Sequence, residues 1–121
     1  MSCKNTILIV DDNNIDRELV IGLLDDNNIN IINACDGLEA LTYLRNNNPD
    51  LILLDIHMPV MDGIQATLAI RDFADSKQLP IIAMTANAFD ENKQKCFSAG
   101  MNDFLTKPVE IEKLFQCLIT W

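Results

Sequence analysis

Two short runs of uninterrupted apolar residues, Ile7 to Val10 and Leu51 to Leu54, each stop at acid: Asp11 and Asp12 follow the first, Asp55 the second. An apolar run that does not alternate with polar residues suits a strand covered on both faces, the situation of a sheet sandwiched between helices. In an open parallel sheet, ligands bind beyond the carboxyl ends of the strands. If both runs share one sheet, three carboxylates meet in one crevice. Unit charges ~4 to 6 Å apart repel by roughly 3 to 4 kcal/mol per pair at an effective dielectric of ~20. Such a cluster invites a hard, oxygen-seeking cation, so the first expectation is a magnesium site.

The rest of the chain repeats the same rhythm. After Val10, Asn13 and Asn14 are capping candidates for a helix whose apolar residues Ile15, Leu19 and Leu23 recur every four positions. Asn30 to Ala34 is β-prone, and Asp36 with Glu39 three residues later resembles a capping box ahead of Leu38, Leu41 and Leu44. Ile64, Leu68 and Phe73 give a loose helical stripe after Asp62 and Gly63. Pro80 introduces the run Ile81 to Met84, a weaker helix occupies about 90–99, and Gly100 is placed to end it in a left-handed turn. Asp103 to Thr106 makes a short strand before Pro108, and Ile111, Leu114, Phe115 and Leu118 line the apolar face of a last helix. Five βα units in 121 residues fit an open, doubly wound α/β sheet, whereas an eight-unit barrel typically needs ~250 residues. The Asn-Asn pairs at 13, 27 and 46 fall at element boundaries and serve as caps or turns.

Composition narrows the function classes. A chain of 121 residues that is 49% hydrophobic suits one compact domain over 1–121. The net charge of −9 repels nucleic acid phosphates and anionic lipid, and no Lys/Arg cluster offers an exception. Direct nucleic acid binding and membrane contact are not expected. Cys3, Cys35, Cys96 and Cys117 are scattered without a CxxC pair, and the single His57 has no neighbouring Cys, so thiols in a reducing cytosol are expected rather than a zinc site. The apolar run near the N-terminus is too short for a signal peptide core or a membrane span, which reads as a soluble, cytoplasmic chain.

The order ILIVDDN, LILLDIHMPVMDG, IIAMTANA and AGMNDFLTKP resembles the receiver domain of two-component response regulators from one end of the chain to the other. Each motif alone is weak; their joint order and spacing are specific. The wording DDNNIDR, DIHMPVMDG, TANAF and KCFSAGMNDFLTKP is most similar to receivers of hybrid histidine kinases. The resemblance implies a flavodoxin-like (βα)5 fold with strand order 2-1-3-4-5.

Carried over position by position, the resemblance makes Asp55 the phosphoacceptor and Mg2+ the cofactor. It implies that Asp12 binds the ion directly, Asp11 mainly through a water, and His57 through its backbone carbonyl. Lys107 pairs with Asp55 and then with phosphoryl oxygens, aided by a cis bond to Pro108. Thr85 offers its hydroxyl to the phosphoryl group, and Phe104 stands where the family has an aromatic that swings inward. His57 and Asn87 flank the site mouth, and Met58, Pro59, Met61 and Gly63 form the tight loop after the phosphoacceptor. For the Met residues and for Phe104, routine core packing is the competing reading.

The implied partners are a histidine kinase or a histidine phosphotransfer protein, docking beside Asp55 through the first helix around Ile15, Leu19 and Leu23. The face of the fourth helix, fifth strand and fifth helix carries the signal outward, and a phosphorylation-dependent homodimer is one form this takes. Two rival classes stay open: a degenerate receiver acting as a phosphorylation-independent binding module, and a magnesium-dependent phosphohydrolase working through an aspartyl phosphate. The chain fits either a free-standing receiver or a piece of a longer kinase.

Overall fold

The computed structural model describes residues 6–24, 29–56, 58, 61–72, 74, 79–86, 90–107 and 109–121. Strands and helices alternate: β1 Thr6–Val10, α1 Asn14–Leu24, β2 Asn30–Ala34, α2 Gly37–Leu44, β3 Leu51–Asp55, α3 Gly63–Arg71, β4 Ile81–Thr85, α4 Asp90–Ala99, β5 Asp103–Thr106 and α5 Ile111–Thr120. The five strands are parallel in the order β2-β1-β3-β4-β5, the doubly wound arrangement expected from the sequence.

The apolar runs are continuous because each strand feeds two cores. Leu8, Val10, Ile52, Leu54, Ile81 and Ala83 point into the core shared with Ala40, Leu44, Ala66, Ile70 and Cys96 of α2, α3 and α4. Their chain neighbours Ile7, Ile9, Leu51, Leu53, Ile82 and Met84 point into the opposite core, with Val20 and Leu24 of α1 and Leu114, Cys117 and Leu118 of α5. This two-residue alternation continues past the strand ends and decides which face each site residue joins.

The helix faces differ in part from the expected stripes. In α1 the buried residues are Val20 and Leu24, whereas Ile15 is 75% and Leu19 49% exposed. The helix carries two adjacent apolar stripes, and docking on the sheet buries the one that continues through Val20. In α3 the buried set is Gly63, Ala66, Thr67 and Ile70, the first three small enough to let the start of the helix lie close to the sheet, while Leu68 faces outward. Phe73, assigned to that stripe, lies outside the described residues. In α5 Leu114 and Leu118 are buried as expected, joined by Cys117, while Ile111 is exposed. Asp36 does cap α2, its Oδ1 accepting the Glu39 N–H, but the Glu39 carboxylate accepts the Cys35 thiol. The reciprocal capping box is formed by Asp62 and Gln65 at the start of α3.

Gly100 ends α4 with φ of 112°, a backbone region costly for any residue with a Cβ. Its carbonyl accepts from Arg71 Nε at 2.8 Å, and the same guanidinium donates to Ala74 O at 3.0 Å, Leu79 O at 2.8 Å and Asn102 Oδ1 at 2.8 Å. Asn102 Oδ1 in turn accepts the Ile81 N–H, so one arginine ties the ends of α3 and α4 to the start of β4. Truncation removes the guanidinium donor from the part-buried carbonyls of Ala74, Leu79 and Gly100. Arg71→Ala is therefore expected to lower unfolding free energy by about 2 kcal/mol, measured as a lower urea midpoint at unchanged slope.

Candidate functional site

Strand register brings the acids together. Val10 pairs with Leu54, so Asp11, the next residue along, stands level with Asp55, the last residue of β3. Alternation then puts both side chains on the α1/α5 side of the sheet, in line with Ile9 and Leu53 below them. On the other flank Thr85 pairs with Thr106, and the Lys107 N–H donates to Thr85 O at 2.7 Å. Lys107 lies two residues beyond Leu105 and joins the same side as Asp11 and Asp55.

Asp11, Asp12 and Asp55 each present a carboxylate oxygen such that all three lie within 4.8 Å of one another. Asp11 is 1% and Asp55 4% exposed, whereas Asp12 is exposed at the rim. Oxygens on opposite corners of a magnesium octahedron are about 4.2 Å apart at ~2.1 Å per bond. The cluster thus has the donor type and nearly the spacing for this ion, with room for one carboxylate to act through a water. The Asp11 carboxylate is already engaged, Oδ1 by the Asn13 N–H at 3.0 Å and Oδ2 by Lys107 Nζ at 2.9 Å.

Lys107 is the cationic centre of the site. Its Nζ lies 2.9 Å from Asp11 Oδ2, 2.9 Å from Asp16 Oδ2 and 3.4 Å from Asp55 Oδ2. Burial by itself pushes this ammonium down, but the hydrogen bonds it donates to Asp11 and Asp16 and the charges of Asp55 and Asp11 outweigh it. The net effect holds Lys107 above the ordinary lysine range and fully charged at neutral pH. The expected pairing with Asp55 is present but is the longest of the three.

Thr85 is fully buried at the end of β4, and by alternation it stands on the α2/α3/α4 side of the sheet with Phe104, which is aligned with Ala83. Phe104 is half-buried against that core, and Lys93 Nζ of α4 sits 5.4 Å above its ring centroid. Neither full burial nor full exposure describes it. His57, Asn87 and Pro108 lie outside the described residues, as does Pro59 of the loop after Asp55. Met58 is buried and Met61 packs against the same core, in keeping with the packing reading.

Two residues of the site, Asp16 and Arg17, were not singled out from the sequence, and for Gly63 its close approach to β3 was not. Asp16 holds Lys107 from the first turn of α1. Arg17 donates to Asp11 O and Asn14 Oδ1, stitching the acid loop to the start of α1, whose cap is Asn13 Oδ1 accepting from Ile15 and Asp16. Gly63 places α3 against β3 so closely that a Cβ there would fall 2.4 Å from Asp55 O and 2.7 Å from Ile56 Cα. The signals were an acid five positions after Asp11, an arginine beside it, and a glycine directly after a capping aspartate. Each is common in sequences, and only the packing gives it a partner.

Comparison with known proteins yields a consistent set of matches. The response regulator receiver domain family matches residues 7–119. The signal transduction histidine-protein kinase BarA of Escherichia coli is 40% identical over 117 residues, covering 96% of this chain and 13% of that kinase. The chain therefore spans only a small part of the length of the curated relatives it matches. Among solved structures, the receiver domain of the sensor histidine kinase PA1611 from Pseudomonas aeruginosa, with magnesium coordinated in its active site cleft, superposes with a TM-score of 0.88 at 34% identity, covering 98% of each chain. The receiver domain of Saccharomyces cerevisiae Ssk1, in complex with the histidine phosphotransfer protein Ypd1, superposes with a TM-score of 0.90 at 32% identity, covering 100% of this chain and 90% of that one. Among the described residues no helix is long and apolar enough to cross a membrane.

Proposed function

Since the chain belongs to the response regulator receiver family of two-component signalling, we propose that Asp55 is its phosphoacceptor, taking a phosphoryl group from a phosphohistidine in a relay. The observation that carries this reading is the convergence of Asp11, Asp12, Asp55 and the Lys107 ammonium at one rim of the sheet. In the reaction an Asp55 oxygen bonds to phosphorus as the bond from phosphorus to the donor nitrogen breaks, and the imidazole leaves with that electron pair. The product is an acyl phosphate on Asp55.

Asp12 and Asp55 are the direct protein ligands we assign to Mg2+, with Asp11 acting through a water because both its oxygens are already hydrogen-bonded. The backbone carbonyl of His57 is the fourth ligand group we assign. The chemistry such an ion supplies is neutralisation of charge on the nucleophile and the phosphoryl oxygens. Lys107 supplies the fixed positive charge, and its acidic neighbours hold it in the protonated form. Thr85 and Phe104, on the opposite face, form the switch: the threonine hydroxyl turns toward the phosphoryl group and the aromatic follows into the space beside it. Moving a population from 1:99 to 99:1 takes ~5.5 kcal/mol, within reach of several charge-assisted hydrogen bonds. His57 and Asn87 set water access at the site mouth.

The domain acts as a signalling phosphoacceptor that promotes its own phosphorylation and dephosphorylation. Its proposed donor is a histidine kinase or a histidine phosphotransfer protein, docking on α1, where Ile15 and Leu19 are exposed apolar residues. We read residues 1–121 as one receiver unit, working in the cytoplasm and free to dimerise through its α4-β5-α5 face when phosphorylated.

The test is intact mass after incubation with Mg2+ and acetyl phosphate. One phosphoryl adduct per chain is expected, absent with a chelator and absent in Asp55→Asn. A wild type that shows neither adduct nor phosphate release overturns the reading in favour of a binding module; sustained release of free phosphate over many turnovers overturns it in favour of a hydrolase.

A further inference from the structure

Asp16 has no place in the acid cluster that fits a cation, yet it engages the site's lysine as closely as Asp11 does. Lys107 Nζ is 2.9 Å from Asp16 Oδ2 and 3.4 Å from Asp55 Oδ2. Lys107 lines a small cleft together with Asp11, Asp16, Leu19, Val20, Met84 and Val109, so α1 and the lysine face the same space. Asp16 itself is 36% exposed, so water stabilises its carboxylate whether or not the lysine is present. Asp11 is 1% exposed and depends on the lysine far more. Of the three carboxylates on this ammonium, Asp16 is the one that gives it up at least cost.

We propose that Asp16 is a positioning residue that holds the Lys107 ammonium on the α1 side of the site and competes for it with a phosphoryl group on Asp55. This rests on the phosphoacceptor reading above. An ammonium has three N–H donors in a tetrahedral fan, and two are spent on Asp11 and Asp16 at 2.9 Å. A second donor for a phosphoryl group comes from leaving one of these two carboxylates, and the more exposed Asp16 is given up at lower cost than Asp11. The Asp16 charge also opposes an incoming anion. Both effects act in one direction: the contact favours the unphosphorylated arrangement, and its loss favours the phosphorylated one.

The experiment is titration of the full chain with beryllofluoride, a phosphoryl mimic, at saturating Mg2+, with affinity read from backbone amide shifts. Asp16→Asn is expected to bind about threefold more tightly than wild type, the size of a partly solvated ion pair. Glu18→Gln, an equal charge change at an exposed position on the same helix, is expected to leave affinity unchanged. Unchanged or weaker binding by Asp16→Asn overturns the proposal, as does an equal gain in Glu18→Gln, which would reduce the effect to overall charge. A wild type that binds no beryllofluoride overturns the phosphoacceptor reading itself, together with this inference.

Discussion

Gly63→Ala is expected to lower the melting temperature by roughly 12 °C, from a loss of about 3 kcal/mol at ~4 °C per kcal/mol for a domain of this size. In an open helix, glycine to alanine stabilises by up to ~1 kcal/mol, so sterics decide the sign here. The added Cβ would lie 2.4 Å from Asp55 O, 2.7 Å from Ile56 Cα and 3.1 Å from Asp55 C, all backbone atoms of the β3 end that no rotamer change can move aside. Relief requires α3 to retreat from β3. That stretches the 2.9 Å bond from the Gly63 N–H to Ile56 O and shifts the strand end that carries Asp55. Phosphorylation by acetyl phosphate, measured below the transition temperature, is expected to slow at least tenfold, because misplacing a reacting group by ~1 Å costs up to ~100-fold. An unchanged or raised melting temperature would show that the close approach is not held in solution.

The second large effect is expected for Lys107→Ala. Removing the ammonium leaves Asp11 and Asp55, 1% and 4% exposed, facing each other without their shared counter-ion. Breaking a buried ion pair by deleting one partner typically costs 3 to 5 kcal/mol. Lys107 retains 17% side-chain exposure, which places the expected loss at the low end, about 3 kcal/mol. Millimolar Mg2+ is expected to restore most of it in the variant and to stabilise the wild type less. Because the folded state holds the Lys107 proton more tightly than the unfolded chain, its contribution is fully present below the ordinary value of 10.5 and fades only as pH rises beyond it. The stability gap between wild type and variant at fixed low ionic strength should therefore not narrow on raising the pH from 7 to 9. Urea unfolding with a chelator and with Mg2+ measures both. Equal midpoints for the two proteins without metal would refute the electrostatic account.

Sequence reading succeeded where local chemistry and tertiary demand coincide. An apolar run without alternation needs cover on both faces, so Leu51 to Leu54 and Ile81 to Met84 had to be central strands, and they are. Asn13, Asp36 and Gly100 ended or began helices because side-chain capping and positive φ are local properties. The helix faces were less legible. In α1 both the stripe through Ile15 and Leu19 and the stripe through Val20 and Leu24 are apolar enough to bury, and propensity does not choose between them. Asp62 with Gln65 and Asp36 with Glu39 share the same capping spacing, and it is the competing Cys35 thiol that keeps Glu39 from closing the second box.

For the site, the acids that end two apolar runs were sufficient to nominate Asp11, Asp12 and Asp55, because strand ends in a parallel sheet share one edge, whereas Thr85 and Lys107 were nominated only by the resemblance to the receiver family. What chain order left open was which of them face each other. The β1 to β3 register sets Asp11 beside Asp55, and alternation from Leu105 turns Lys107 to their side while Thr85 and Phe104 occupy the other. Asp16 shows the limit most plainly: as an acid in the first turn of a helix it is fully explained by the helix dipole. Only packing of α1 over the α1/α5 face brings its carboxylate to the lysine at the end of β5. Hydrophobic patterning is a one-dimensional code and specified the layers of this protein; charge pairing depends on distances across elements far apart in the chain, which exist only once those layers have docked.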